Sequence, residues 1–143
     1  ATTCIEVIQE LLAHLHISGI ISAMDEVCTE IKKHEDKCPS AAGRGVAYPH
    51  STSSEVNELV CVLGISKTGI DFNSPDGQLC HIILLTLSPE NEPIEHRKFI
   101  TRFRTMIEHP DIRSQLIDGS RIEEIEGIIS KWEDKDDQND DLD

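Results

Sequence analysis

Histidine is the side chain best suited to accept, hold or pass a charged group near neutral pH. This chain has seven, at positions 14, 16, 34, 50, 81, 96 and 109. His14 and His16 are two residues apart on a helical segment, so they point about 200° apart and do not share an ion. No Cys pair or carboxylate–histidine helix motif accompanies any of the seven, so no metal site is expected. Taken singly, most read as surface or boundary residues. His50 differs in its context. It follows a Gly-rich stretch (Gly43-Arg44-Gly45) and Pro49, which removes a backbone donor and fixes φ just ahead of it. Ser51-Thr52-Ser53-Ser54 comes directly after, offering hydroxyls and amides. Hydroxyls, N–H groups and an imidazole together suit an anion. His96 is the second candidate, in the first turn of a helical stretch after Pro93, where the helix dipole favours negative charge. Arg97, Lys98, Arg102 and Arg104 follow it, the one basic concentration in the chain. They read as a solvated face able to attract an acidic or phosphorylated partner.

The elements that must position these groups are legible from periodicity. Thr3–Leu15 reads as a helix with Ile5, Ile8, Leu12 and Leu15 on one face, and Thr3 with Glu6 has capping-box spacing. Gly19 ends it. A second helix is expected over about Ser22–Lys33, with Val27, Cys28 and Ile31 inward. Cys38–Gly45 reads as loop, and Val46–Tyr48 as a short apolar piece before Pro49-His50. Leu59–Ile65 and Leu79–Leu87 are near-continuous apolar runs that fit strands covered on both faces, joined through a turn at Asn73–Gly77. The period then becomes helical. Phe99, Ile100, Phe103, Met106 and Ile107 form one stripe, a short helix covers Asp111–Ile117, and a last one starts at the cap Ser120 with Ile122, Ile125, Ile129 and Trp132 on one side. Helices bracketing a block of strands predict an α/β fold: a central mixed β-sheet flanked by helices on both faces.

Charge excludes several classes of function. The 143 residues carry a formal net charge of −14, which argues against nucleic acid and against an anionic membrane surface. No apolar run approaches the roughly 20 residues needed to span a bilayer. Residues 133–143 hold seven acids and one Lys, so −6 of the charge sits in the last eleven residues. Residues 1–132 are therefore expected to form the domain and 133–143 a disordered acidic tail or linker. Five cysteines, an odd number without a CxxC pair, point to a reduced, cytoplasmic setting.

The segment Ser40-x-x-Gly43-x-Gly45-Val46-Ala47-Tyr48-Pro49-His50 resembles the active-site segment of bacterial phosphotransferase-system enzyme IIA domains of the fructose, mannitol and nitrogen-regulatory type. The run Asp76-Gly77-Gln78-x-Cys80-His81-Ile82-Ile83-Leu84-Leu85, then Pro89 and Glu95-His96, is similar to that family's second half. The likeness in order and spacing spans roughly residues 3–131. The resemblance implies the EIIA type 2 α/β fold, with His50 as acceptor of a phosphoryl group and His96 as the nearby histidine that helps hold it. Ser40 would match a Ser or Thr of the loop, and Ser51 would add a donor. The family commonly has an Arg-Glu pair sixteen and fifteen residues before the active histidine, and here those positions are His34-Glu35. A neutral imidazole does not offset phosphoryl charge as Arg does. Arg44, six residues before His50, is the candidate substitute.

The resemblance implies a phosphoryl relay fed by a phosphohistidine carrier protein (HPr-like), with phosphotransferase-type chemistry and no metal or organic cofactor. An alternative is a cytosolic regulatory or sensor domain attached to a membrane transporter, with phosphotransfer reduced or absent. His34, the acidic tail and a first residue other than Met lean toward that alternative.

Overall fold

Apolar side chains recurring every three to four residues, then in unbroken runs, produce helices laid on a sheet. The computed structural model describes residues 3–90 and 93–118, and the chain forms two compact units, Ala1–Lys98 and Phe99–Asp143. In the first, helices α1 (Cys4–Ile17) and α2 (Met24–Lys37) precede five strands: β1 (Ala41–Gly43), β2 (Val46–Ala47), β3 (His50–Thr52), β4 (Val60–Ile70) and β5 (Cys80–Ser88). Thr3 caps α1, its hydroxyl accepting from the Glu6 amide at 3.2 Å. The start of α2 is capped from a distance. The Glu55 carboxylate accepts from the Ser22 hydroxyl and from the Ser22 and Ala23 amides, at 2.9 Å and 3.2 Å for the latter two. Those bonds, the Ser22 hydroxyl first, hold the Glu55 carboxyl below its ordinary value.

The sheet is mixed, as expected. β5 is its spine, with β4 antiparallel along one edge and both β2 and β3 parallel along the other. The partners Val46↔Ile82, Ala47↔Ile83, His50↔Thr86 and Ser51↔Leu87 keep a single register. β2 and β3 are therefore one strand interrupted at Tyr48-Pro49, its β2 part between β1 and β5 and its β3 part at the sheet edge. Proline has no N–H to give the ladder, but its carbonyl still accepts from the Thr86 amide at 3.0 Å, which holds the strand together across the gap.

One face of the sheet meets α1 and α2. Ile8, Leu12, Ile31, Ile83, Leu85 and Leu87 are at the centre of that cluster and fully buried. The close approach of α1 to β4 needs Gly64, where a Cβ would lie 3.1 Å from a methyl of Leu11. The alternate β5 side chains Ile82, Leu84 and Thr86 are equally withdrawn from solvent, as the near-continuous apolar run implies. Cys80 is buried and all five cysteines are free. Burial pushes the thiols of Cys4 up to about 12 and of Cys61 and Cys80 up to about 11, so they serve as small apolar groups rather than nucleophiles.

Helix α3 (Pro93–Ile107) starts six residues earlier than its apolar stripe, with Pro93 at the first helical position. In the second unit Phe103, Met106 and Ile107 of α3 and Leu116 of α4 (Pro110–Asp118) are buried. The Arg113 guanidinium donates to the Ile107 carbonyl and closes the turn between the helices. The expected last helix from Ser120, and the boundary between residues 132 and 133, lie outside the described residues.

Two expectations are corrected. Cys38–Gly45 is not all loop, because Ala41–Gly43 pairs antiparallel with β2 across a two-residue turn. The turn residues, Arg44 at φ 59° and Gly45 at φ 78°, both take the left-handed conformation that tight hairpins require. Helix α2 also runs four residues beyond Lys33, which carries His34 onto its last turn.

Candidate active site

His50 opens β3, at the end of the edge strand that pairs with the carboxyl-terminal half of β5. Strand alternation turns its ring outward: His50 is exposed, whereas Tyr48, Pro49 and Ser51 are buried. Its Nδ1 lies 2.9 Å from the Tyr48 carbonyl oxygen. A carbonyl only accepts, so Nδ1 carries the proton and donates it. In the neutral ring the lone pair then resides on Nε2, which makes Nε2 the nucleophilic atom.

The Tyr48 carbonyl is itself held by a chain of bonds leading back to α2. The Tyr48 amide donates to the Ser40 carbonyl at 3.1 Å, and the Ser40 amide donates to Glu35 Oε2 at 3.2 Å. Glu35, Ser40, Tyr48 and His50 are thus linked in series, and a carboxylate on a helix orients an imidazole on a strand. The sequence singled out neither Glu35 nor Tyr48 for this. The signal available was the position of Glu35 beside His34, but the links run through backbone atoms that residue types do not reveal.

His34 occupies the last turn of α2, which packs against β3. Its ring centroid is 5.7 Å from that of His50, with 40° between the ring planes. Two imidazoles sixteen residues apart in sequence therefore form one exposed pair. The Ser40 hydroxyl is buried and without a hydrogen-bond partner among the described residues. A buried unpaired hydroxyl costs about 1–3 kcal/mol, so one kept next to this chain of bonds is a candidate donor to a ligand.

Two other expected residues are not brought to His50. Ser51 faces the opposite side of the strand, and its hydroxyl donates to the Thr52 carbonyl at 2.9 Å. Arg44 sits at the far end of the same interrupted strand. There the Gly45 carbonyl accepts from the His81 amide, five residues before Thr86, the residue opposite His50, or about 16 Å along β5. The Arg44 amide donates to Asp76 Oδ2 at 3.0 Å, and Asp76 Oδ1 accepts from the Ser74 hydroxyl and the Gln78 amide. These bonds, the Ser74 hydroxyl first, lower the Asp76 carboxyl below its usual value. Arg44 is a turn residue. His96 is the fourth residue of α3, as the periodicity placed it, and its side chain lies outside the described residues.

An exposed nucleophilic imidazole with a fixed tautomer and a second imidazole beside it can accept an electrophilic group and stabilise its charge. Comparison with known proteins identifies the setting. The model of the family described as "Phosphoenolpyruvate-dependent sugar phosphotransferase system, EIIA 2" matches residues 1–132. The fructose-specific EIIABC component of the phosphotransferase system of Bacillus subtilis (strain 168) is 27% identical over 125 residues. That match covers 87% of this chain, which spans only 20% of the relative's length. The crystal structure of nitrogen regulatory protein IIA-Ntr from Neisseria meningitidis superposes with a TM-score of 0.82 at 23% identity, covering 90% of this chain and 87% of that one. Enzyme IIA of the mannitol system of Escherichia coli, solved in complex with phosphorylated enzyme IIB, superposes with a TM-score of 0.78 at 18% identity, covering 92% and 90%. The two superpositions establish the fold.

Proposed function

The chain belongs to the EIIA type 2 family of the phosphoenolpyruvate-dependent sugar phosphotransferase system, and from that premise we propose that it is a phosphoryl-relay domain with His50 as the acceptor. The supporting observation is the bond from His50 Nδ1 to the Tyr48 carbonyl, which leaves Nε2 as the attacking atom on an exposed edge. The donor is the phosphohistidine of a small carrier protein (HPr-like). The Nε2 lone pair of His50 forms the new N–P bond while the carrier's N–P bond breaks and its electron pair returns to the carrier's imidazole. The transfer is in line and driven by positioning and charge stabilisation, with little covalent work for the protein. Attack by a neutral ring leaves positive charge on the His50 imidazole, and the Tyr48 carbonyl, already accepting from Nδ1, offsets it. His34 and the unpaired Ser40 hydroxyl are the groups to contact the phosphoryl oxygens, with His96 as the third. Neither a metal nor an organic cofactor enters the reaction.

The phosphoryl group then passes to an acceptor of the enzyme IIB kind, the partner with which the mannitol relative was solved. A second reading is supported by the EIIABC relative, of which this chain matches 20%. In it the domain is the cytoplasmic, regulatory part of a transporter and transfers little or no phosphate. No helix among the described residues is long and apolar enough to cross a membrane. One experiment separates the readings. Incubation with enzyme I, the carrier and phosphoenolpyruvate should add one phosphoryl group to the intact mass of the wild type and none to His50→Ala. No gain in the wild type, or an undiminished gain in the variant, overturns the relay.

A further inference from the structure

An arginine beside the acceptor presents a cation at every physiological pH. A histidine presents one only on the acid side of its ordinary range, near 6.5. In this chain the residue whose ring lies 5.7 Å from His50 is His34. It stands on the last turn of α2, where the carboxyl end of the helix dipole favours a cation. The fixed cations nearest to it in sequence, Lys33 and Lys37, stand on the same helix. One turn away on α2, Glu30 is bonded to Lys33 at 3.3 Å, and Lys37 is exposed on the last turn. Glu35 is engaged by the Ser40 amide. β3 (His50–Thr52) contains no ionisable side chain besides His50 itself. α1 meets α2 through the apolar cluster of Leu12, Leu15, Val27 and Ile31, and its Glu6, Glu10, His14 and His16 are exposed. Arg44, the alternative cation, is at the other end of the interrupted strand.

Resting on the relay reading, we propose that His34 is a proton-gated phosphoryl-binding residue: as an imidazolium it donates to the phosphoryl group on His50, so the site's affinity for that group falls as pH rises. The phosphoryl dianion favours the charged ring, and the charged ring favours the phosphoryl group, by reciprocal linkage. Transfer from the carrier to His50 then takes up a proton at His34. The gate would make occupancy of the relay, and any regulation read from it, respond to acidity.

The test is the equilibrium occupancy of His50 with a fixed ratio of phosphorylated to free carrier, read by intact mass between pH 5.5 and 8.5. It is made on wild type, His34→Arg and His34→Gln, with folding of each checked by circular dichroism. The ratio of the wild-type transfer constant to that of His34→Arg cancels the carrier's own titration. That ratio should fall as pH rises, by up to about tenfold per pH unit, the limit for one linked proton. His34→Gln should be low and should parallel His34→Arg. Profiles of the same shape for wild type and His34→Arg, both accepting on His50, overturn the gate and leave the relay standing. No phosphoryl gain in any of the three overturns the relay and the gate with it.

Discussion

The two ends of the interrupted β2–β3 strand use similar polar residues in opposite ways. At the Arg44-Gly45 end, the backbone polar groups of the turn and the Asp76 carboxylate are engaged locally. Asp76 accepts from the Arg44 amide, the Ser74 hydroxyl and the Gln78 amide, and the Gly45 carbonyl accepts from two β5 amides. At the His50 end the Tyr48 and Ser40 amides are bonded, yet the Ser40 hydroxyl is buried without a partner among the described residues and two imidazoles share an exposed surface. The first end fixes the hairpin. The second leaves one buried hydroxyl unsatisfied among the described residues. The Arg44 backbone serves the turn, about 16 Å along β5 from the residue opposite His50.

The contrast can be broken by substitution, starting where the largest effect is expected. His50→Ala should abolish phosphoryl acceptance in the mass assay while shifting unfolding by no more than about 0.5 kcal/mol, since the ring is exposed. A large loss of stability would mean that the site end is structural too. Gly45→Ala should show the reverse. A residue with a Cβ held at φ 78° costs about 1–2 kcal/mol in chemical denaturation, and acceptance on His50 should survive. Loss of acceptance in a folded Gly45→Ala would erase the distinction between the two ends.

Ser40→Ala sharpens the comparison, because removing an orphaned hydroxyl should leave stability unchanged or raise it by up to about 1 kcal/mol. The rate of phosphoryl acceptance should nonetheless fall several-fold in stopped-time mass measurements. An unchanged rate would return Ser40 to a purely backbone role. The smallest effect concerns the cap on α2, the helix that presents His34. Its folded-state bonds lower the Glu55 carboxyl from its ordinary value of 4.5. The cap's contribution is therefore full above that value and is lost as pH falls below it through the folded-state value. Thermal melts of wild type and Glu55→Gln should differ at pH 7 and converge as the pH is lowered through that range. A difference that persists unchanged in acid would refute the cap.

How much of this was legible varies element by element. α1 could be read to its cap because Thr3, Glu6 and the apolar face all lie within one short window. The runs behind β4 and β5 were visible because burial on a sheet demands continuous apolar residues. β4, however, extends five residues beyond Ile65, through Ser66-Lys67-Thr68-Gly69, which no hydrophobic criterion selects. β1 and β3 were missed for the same reason. Ala41–Gly43 and His50–Thr52 are strands because β2 and β5 offer them partners, not because of intrinsic preference. Ser51 was misplaced because alternation depends on a strand assignment that its own residues do not announce.

For the site, residue types and spacing in the chain marked His50 as the candidate acceptor. Gly43, Gly45, Pro49 and His50 are contiguous enough that local chemistry marks the position, and the family resemblance rests on the same run. The sequence also showed that position 34 holds His. Only the tertiary structure decided that His34 lies against His50, that Arg44 does not, and that Nδ1 of His50 is bonded to the Tyr48 carbonyl. Each of these depends on contacts between elements: α2 packing on β3, register carried across a proline gap, and a carbonyl reached through Glu35 and Ser40. Side-chain chemistry is written in the residue, but its orientation comes from backbone hydrogen bonds, and those exist only once the sheet has formed.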